Sequence, residues 1–182
     1  MYFLIYKYNI IWYTLYKSEV IFINQEIHSY MHKTEQILNS SKFNNAIEFA
    51  EWTYQKSNLK FKENYPSFPI YNNFIYWCNL GINIGSEQNK LRPVLILRSL
   101  KNSPICTILP LTSKRLQDNF SFHIDLENLN STVLVEQLRT ISKLRFSNPY
   151  RLKGKLTTIS STDWDKINTQ IENLYRLRPL RK

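Results

Sequence analysis

FIYWCNLGINIGSEQNKLRPVLIL, residues 74–97, decides the fold. Its first six residues are aromatic and β-branched enough to read as a strand, and residues 93–97 (PVLIL) form a continuous apolar run of buried-strand type. Proline is tolerated at the head of the second strand because no ladder donor is needed there. Between the strands lies a polar loop, residues 81–91, carrying Gly85, Ser86, Glu87 and Gln88. The loop delivers one guanidinium, Arg92, to the mouth of the second strand. A flexible loop feeding an arginine into a rigid strand gives a site both reach and a fixed charge.

Outward from this hairpin the pattern continues as short strands. Residues 104–113 (PICTILPLTS) read as a third strand, in which Pro110 cannot donate to a ladder and so implies an edge position or a bulge re-aiming Thr112 and Ser113. Residues 114–119 are a polar loop. Phe120, Phe122 and Ile124 alternate with Ser121, His123 and Asp125, the mark of a half-buried strand with one polar face. Residues 132–136 form another strand, followed by a tight segment, 137–145, and a short strand over 152–159. The chain then closes on a helix with Ser160 as its cap and Asp163 three residues on, and with Trp164, Ile167, Ile171 and Leu174 as its apolar stripe. Around five short strands and one amphipathic helix read as a small, SH3-like β-barrel, mainly β, over residues 71–182.

Residues 1–70 read as a mostly helical N-terminal extension. Residues 26–58 suggest two helices, the second behind Ser40 and Ser41 as caps and with Phe43, Ile47, Ala50 and Tyr54 as its stripe. That stripe needs cover, so the helices are expected to dock on the barrel body or dimer edge and leave the groove around Arg92 open. Residues 60–73, with Pro66 and Pro69, form the linker. Residues 1–24 are apolar and aromatic but interrupted by Lys7, Lys17 and Glu19. A spanning helix wants about 20 mostly apolar residues, and the stretch lacks the basic start and small-residue cleavage site of a signal peptide. It is expected to pack on the body or to precede a true start at Met31. Anchoring at a membrane surface is the third alternative.

The 43% hydrophobic and 21% charged composition is that of a globular chain. The formal net charge of +10 is lopsided: residues 1–70 hold 7 Lys against 6 Glu, whereas residues 71–182 hold 17 Lys and Arg against 8 acids and contain all 9 arginines. Such a distribution favours a polyanionic partner for the second part. Cys78 and Cys106 lie in strand-like runs without zinc spacing and read as buried free thiols in a reducing cytoplasm. His28 and His32, four apart with no carboxylate motif, read as surface histidines. No metal and no cofactor are expected.

Three blocks carry a family resemblance over residues 72–177: Gly85-Ser86-Glu87-Gln88 to Arg92-Pro93-Val94, the strand end Leu111-Thr112-Ser113, and Ser131 to Arg145 (STVLVEQLRTISKLR). In this order, closing with a helix, they resemble the MazF/PemK toxins, the endoribonucleases of bacterial toxin–antitoxin pairs. The sequence departs from the usual family pattern at Asn72-Asn73, where Gly-Asp is common, and at Leu97-Arg98-Ser99, where Gln-Asn-Asp is common. The resemblance implies metal-independent, sequence-selective cleavage of single-stranded mRNA, with the ribose 2′-OH attacking its own phosphate to leave a 2′,3′-cyclic phosphate and a 5′-OH. It implies Arg92 and Thr112 as the principal catalytic pair and Glu136 as the carboxylate proposed as base in some members, with Glu87 as second choice. His123 is a further acid–base candidate, since imidazole titrates near neutrality. Gly85, Ser86, Glu87, Gln88, Ser113, Lys114, Gln137 and Arg139 would contact RNA, Arg139 with a structural role beside it. The implied partners are a small acidic antitoxin and a second copy in a homodimer, with no membrane. The alternative is a non-catalytic SH3-like module that binds nucleic acid or protein.

Overall fold

The computed structural model of the chain describes residues 23–41, 43–62 and 64–176. The readings of residues 1–22 as packed, membrane-apposed or untranslated lie outside the described residues. The chain falls into two compact units, Met1–Glu51 and Trp52–Lys182.

In the first unit, residues 23–39 are helical (α1), and α2 (Phe43–Lys62) begins after a short break, its residues from Trp52 onward belonging to the second unit. The hydroxyls of Ser40 and Ser41 both donate to the carbonyl of Ile37, at 2.8 Å. They close the last turn of α1, as serines do when they bond back one turn, and the capping of α2 expected of them falls at Lys42, outside the described residues. His32 is exposed and lies 3.7 Å from Glu35, and His28 is exposed too, in keeping with surface roles. The expected stripe of α2 is open where it is described: Ile47, Ala50 and Tyr54 are exposed. No helix among the described residues is long and apolar enough to cross a membrane.

The second unit is an antiparallel sheet with a C-terminal helix. Its strands are β1 (Ile75–Asn79), β2 (Leu91–Ser99), β3 (Ile105–Thr112), β4 (His123–Asp125), β5 (Thr132–Leu134), β6 (Arg139–Ser142) and β7 (Phe146–Pro149). They run in the order β4-β5-β3-β2-β1-β7, with β6 also paired to β3. The path ends at β4 and β7, and no pairing joins those ends among the described residues. A hairpin of β8 (Arg151–Leu152) and β9 (Lys155–Leu156) precedes α3 (Ser161–Tyr175). Its two-residue turn, Lys153-Gly154, has positive φ at both positions, which matches the twist of tight hairpins.

The central runs are continuously apolar because both faces of the sheet are covered. Successive side chains point to opposite faces, so Tyr76, Cys78, Val94, Ile96, Cys106 and Ile108 share one cluster. Ile75, Leu95, Leu109 and Leu111 share the other, which α3 covers through Ile167, Trp164, Ile171 and Leu174. The register agrees, with Ile75 opposite Leu95 and Leu95 opposite Leu109. The Ser160 hydroxyl accepts the Asp163 N–H at 3.0 Å and caps α3 as expected, a contact worth about 1 kcal/mol.

Several boundaries differ from the sequence reading. Among the described residues nine strands are present rather than about five: the tight segment at 137–145 contains β6 between the 3-10 turns Val135–Gln137 and Lys143–Arg145, β7 follows it, and the last expected strand is the β8–β9 hairpin. The strand expected from residue 120 starts at His123, and Phe120 is exposed. Pro110 is neither at an edge nor bulged. It is buried opposite Val94, where β3 passes from β6 (Ile108↔Arg139) to β5 (Leu111↔Val133), so its missing donor falls at a gap between partners. The register shift lies instead in β2, between Ile96 and Arg98.

Candidate active site

The loop between β1 and β2 is anchored at its stem. Leu80 N donates to Lys90 O at 2.9 Å and Lys90 N to Gly81 O at 2.6 Å, while Asn83 Nδ2 ties Leu80 O to Gln88 O from inside. Arg145 Nη1 donates to the carbonyls of Asn79 and Leu80, and its guanidinium lies 5.3 Å from the centre of the Trp52 ring. Trp52, 7% exposed, in turn covers Gly81, whose φ of +89° and lack of a Cβ let the indole approach the backbone. Asn79 Nδ2 donates to Gln55 Oε1 at 2.8 Å, a second tie from α2. The tip is open, and Ile84, Gly85, Ser86 and Glu87 are all exposed.

Gln137 holds the far side of the loop. Its Oε1 accepts from Gln88 N at 2.8 Å and from Arg139 Nη2 at 3.0 Å, and its Nε2 donates to Ser86 O at 3.1 Å. Ser86, Gln88, Gln137 and Arg139 are thus brought together. The buried Gln88 Oε1 has no hydrogen-bond partner among the described residues. An amide oxygen left in that state is an acceptor a ligand could satisfy.

Arg92 and Thr112 stand at the same end of adjacent strands. The last recorded β2–β3 pair is Val94↔Pro110, and two residues further along each strand come Arg92 and Thr112. Thr112 pairs with Thr132, and Thr132 with Asp125, so a polar row crosses β2, β3, β5 and β4. Within it the Thr132 hydroxyl lies 2.5 Å from Asp125 Oδ1. Arg92 Nε donates to Asn89 O at 2.8 Å, fixing one edge of the half-buried guanidinium. The Thr112 hydroxyl oxygen accepts from Lys114 N at 3.2 Å, which turns the chain so that Ser113 and Lys114 face solvent.

His123 lies between two carboxylates. Nδ1 is 2.6 Å from Asp118 Oδ2 and Nε2 is 3.3 Å from Glu136 Oε1. Its side chain is only 10% exposed, against the open polar face that alternation implied. Burial would raise the Asp118 carboxyl, but hydrogen bonds from His123 and Phe120 N–H, with the charges of His123 and Arg115, hold it below its ordinary value. Glu136 follows β5 in a 3-10 turn, and its buried Oε2 has no hydrogen-bond partner among the described residues. Among the described residues, no group of three or more His, Cys, Asp and Glu side chains is arranged to hold a metal ion.

Sequence reasoning missed Trp52, Arg145, Asp118 and the Thr132–Asp125 extension of the polar row. Arg145 closes the third sequence block, which was the available signal for it.

A model of PemK-like, MazF-like toxins of type II toxin–antitoxin systems matches residues 73–175. The chain is 29% identical over 116 residues to Endoribonuclease MazF of Staphylococcus saprophyticus, covering 59% of this chain and 92% of that protein. It is 26% identical over 107 residues to Endoribonuclease EndoA of Bacillus subtilis, covering 54% and 87% respectively. Its fold is similar to the crystal structure of MazF (Form-I) from Deinococcus radiodurans, with a TM-score of 0.51 and 17% identity over 61% of this chain and 100% of that one. The loop-borne arginine, the threonine ending β3 and the helix that closes the sheet all fall inside the matched span, and the chain belongs to the PemK-like, MazF-like toxins of type II toxin–antitoxin systems.

Proposed function

We propose that the protein is an endoribonuclease that cleaves single-stranded mRNA without a metal ion, by attack of the ribose 2′-OH on the adjacent phosphate. The observation that carries the reading is the placement of Arg92 and Thr112 at one end of the β2–β3 pair, with Arg92 fixed through Nε. The reaction passes through a phosphorane with extra negative charge. A guanidinium held by one edge offers its remaining donors to that charge without reorganising. Thr112 Oγ1 uses a lone pair on Lys114 N and keeps its own proton to donate to a phosphoryl oxygen. Arginine stays protonated and cannot serve as the base. That role falls to the Glu136–His123 pair, in which Asp118 orients the imidazole, as a third group orients the base in catalytic triads.

Gly85, Ser86, Glu87, Gln88, Ser113, Lys114, Gln137 and Arg139 form the RNA-contacting rim of this reading. In this reading the sheet, in which β3 pairs with β2, β5 and β6, is the family's SH3-like barrel. The protein acts as a cytoplasmic homodimer, silenced by a small antitoxin whose acidic segment covers the basic groove.

The test is cleavage of an unstructured RNA in EDTA, with analysis of the product ends. Undiminished cleavage yielding 2′,3′-cyclic phosphate and 5′-OH ends supports the reading. Dependence on magnesium, or 5′-phosphate products, overturns the mechanism. Tight RNA binding without cleavage replaces it with a non-catalytic binding module.

A further inference from the structure

A cavity of about 450 Å³ opens between α2 and the Lys143–Arg145 turn. Among the described residues three cations line it, Lys56, Lys60 and Arg145, and no acidic residue does. Lys56 and Lys60 are one helical turn apart and share a face of α2. Leu59 and Leu144 supply apolar lining and Tyr65 an aromatic ring. This combination of positive charge, an aromatic ring and aliphatic lining suits a nucleotide, whose phosphate wants cations and whose base wants a flat apolar surface.

The register sets the cavity beside the candidate active site. Cys78 pairs with Arg92 on one side and with Phe146 on the other. The backbones of Arg92 and Phe146 are therefore two strand spacings apart, about 10 Å. Arg145, immediately before Phe146, lines the cavity and also holds the carbonyls at the stem of the β1–β2 loop. An RNA strand leaving the Arg92 site reaches the cavity within a few nucleotides. The family match begins at residue 73, so the α2 wall lies outside the matched span.

We propose that this cleft is a second subsite for single-stranded RNA, taking a nucleotide a few positions along the strand from the scissile one. The proposal rests on the reading of the protein as an RNA-cleaving enzyme and adds a reason for α2 to be present. Longer substrates would bind more tightly than short ones through contacts distinct from the catalytic groove.

The experiment compares the full chain with its Lys56→Glu/Lys60→Glu variant, checking that both melt at similar temperature. Affinity is measured by fluorescence anisotropy for a short unstructured RNA and for the same RNA extended by about ten nucleotides at each end. The wild type should bind the extended RNA at least about tenfold more tightly. The variant should lose that gain, with its salt slope reduced by about 1.4 for two lost phosphate contacts. It should cleave the short RNA at an unchanged rate. A wild type without the gain, a variant that keeps it, or an equal loss on both RNAs overturns the subsite. So does a poly-glutamate peptide that needs the two lysines while extended RNA gains nothing, which assigns the cleft to an acidic protein partner. If the wild type shows the gain but cleaves neither RNA, the subsite stands and the nuclease reading falls.

Discussion

The indole of Trp52 lies over Gly81 so closely that a Cβ at residue 81 would overlap the ring. A residue from α2 is thus built into the stem of the loop that carries Arg92. Gly81→Ala should be destabilising twice over, through the overlap and through a positive φ that only glycine takes easily. A loss of about 2 to 4 kcal/mol is expected in denaturant unfolding. Trp52→Ala should cost about 3 kcal/mol by leaving a cavity and baring Arg145. A chain beginning at Tyr71 should then lose both stability and part of its cleavage rate. Unchanged rate and melting temperature on truncation would show that α2 contributes nothing to the loop.

Arg92→Ala and Thr112→Ala should each lower the cleavage rate by about 100- to 1000-fold, the usual loss for one donor to a developing oxyanion. Arg92→Lys should also be badly impaired, because a point charge does not replace a fork fixed through Nε to Asn89. Single-turnover cleavage, with circular dichroism to confirm folding, makes the check. Full activity in Arg92→Ala would remove the proposed site.

His123→Gln should reduce cleavage by at least about 100-fold and flatten the pH–rate profile, as the loss of an acid–base group does. Asp118→Asn keeps the shape of the loop but removes a carboxylate from Nδ1, so a smaller fall in kcat with KM unchanged is expected. A profile in His123→Gln that overlays the wild type would make the histidine structural.

Burial pushes the Cys78 thiol up to about 12 and the Cys106 thiol up to about 11, against an ordinary value of 9.0. The folded chain therefore keeps protons that the unfolded chain has lost above 9. Stability from these groups is full below 9 and falls as pH rises through 11 to 12. Guanidinium unfolding at about pH 8 and about pH 10 should show a decline that is smaller in Cys78→Ala/Cys106→Ala. An equal decline in that variant would assign the alkaline loss to other groups.

What the sequence made legible was local. The aromatic–apolar run of β1 and β2 and the Ser160-capped stripe of α3 each encode their structure within a dozen or so residues. The contacts that escaped depend on distant partners. Helical periodicity picks Ile47, Ala50 and Tyr54 on α2, yet these are open and Trp52 is buried, because only a side-chain-free position at Gly81 decides which residue docks. β6 is mostly polar (Arg139-Thr140-Ile141-Ser142) and becomes a strand by pairing with β3. Asp118 reaches His123 because Gln117 and Asn119 on either side adopt positive φ, a backbone shape no periodicity reports. Arg92 and Thr112 were nameable from their motifs, whereas their common strand end is a matter of register.

Arg145 reaches back across 66 and 65 residues to the carbonyls of Asn79 and Leu80, and β7 joins β1 from further along still. A chain made from its N-terminus therefore emerges with the Arg92 loop long before the residues that brace it. Domains complete their packing as units once the distant partners arrive. Threading order by itself keeps a ribosome-bound chain from presenting a finished site until Arg145 and β7 have emerged.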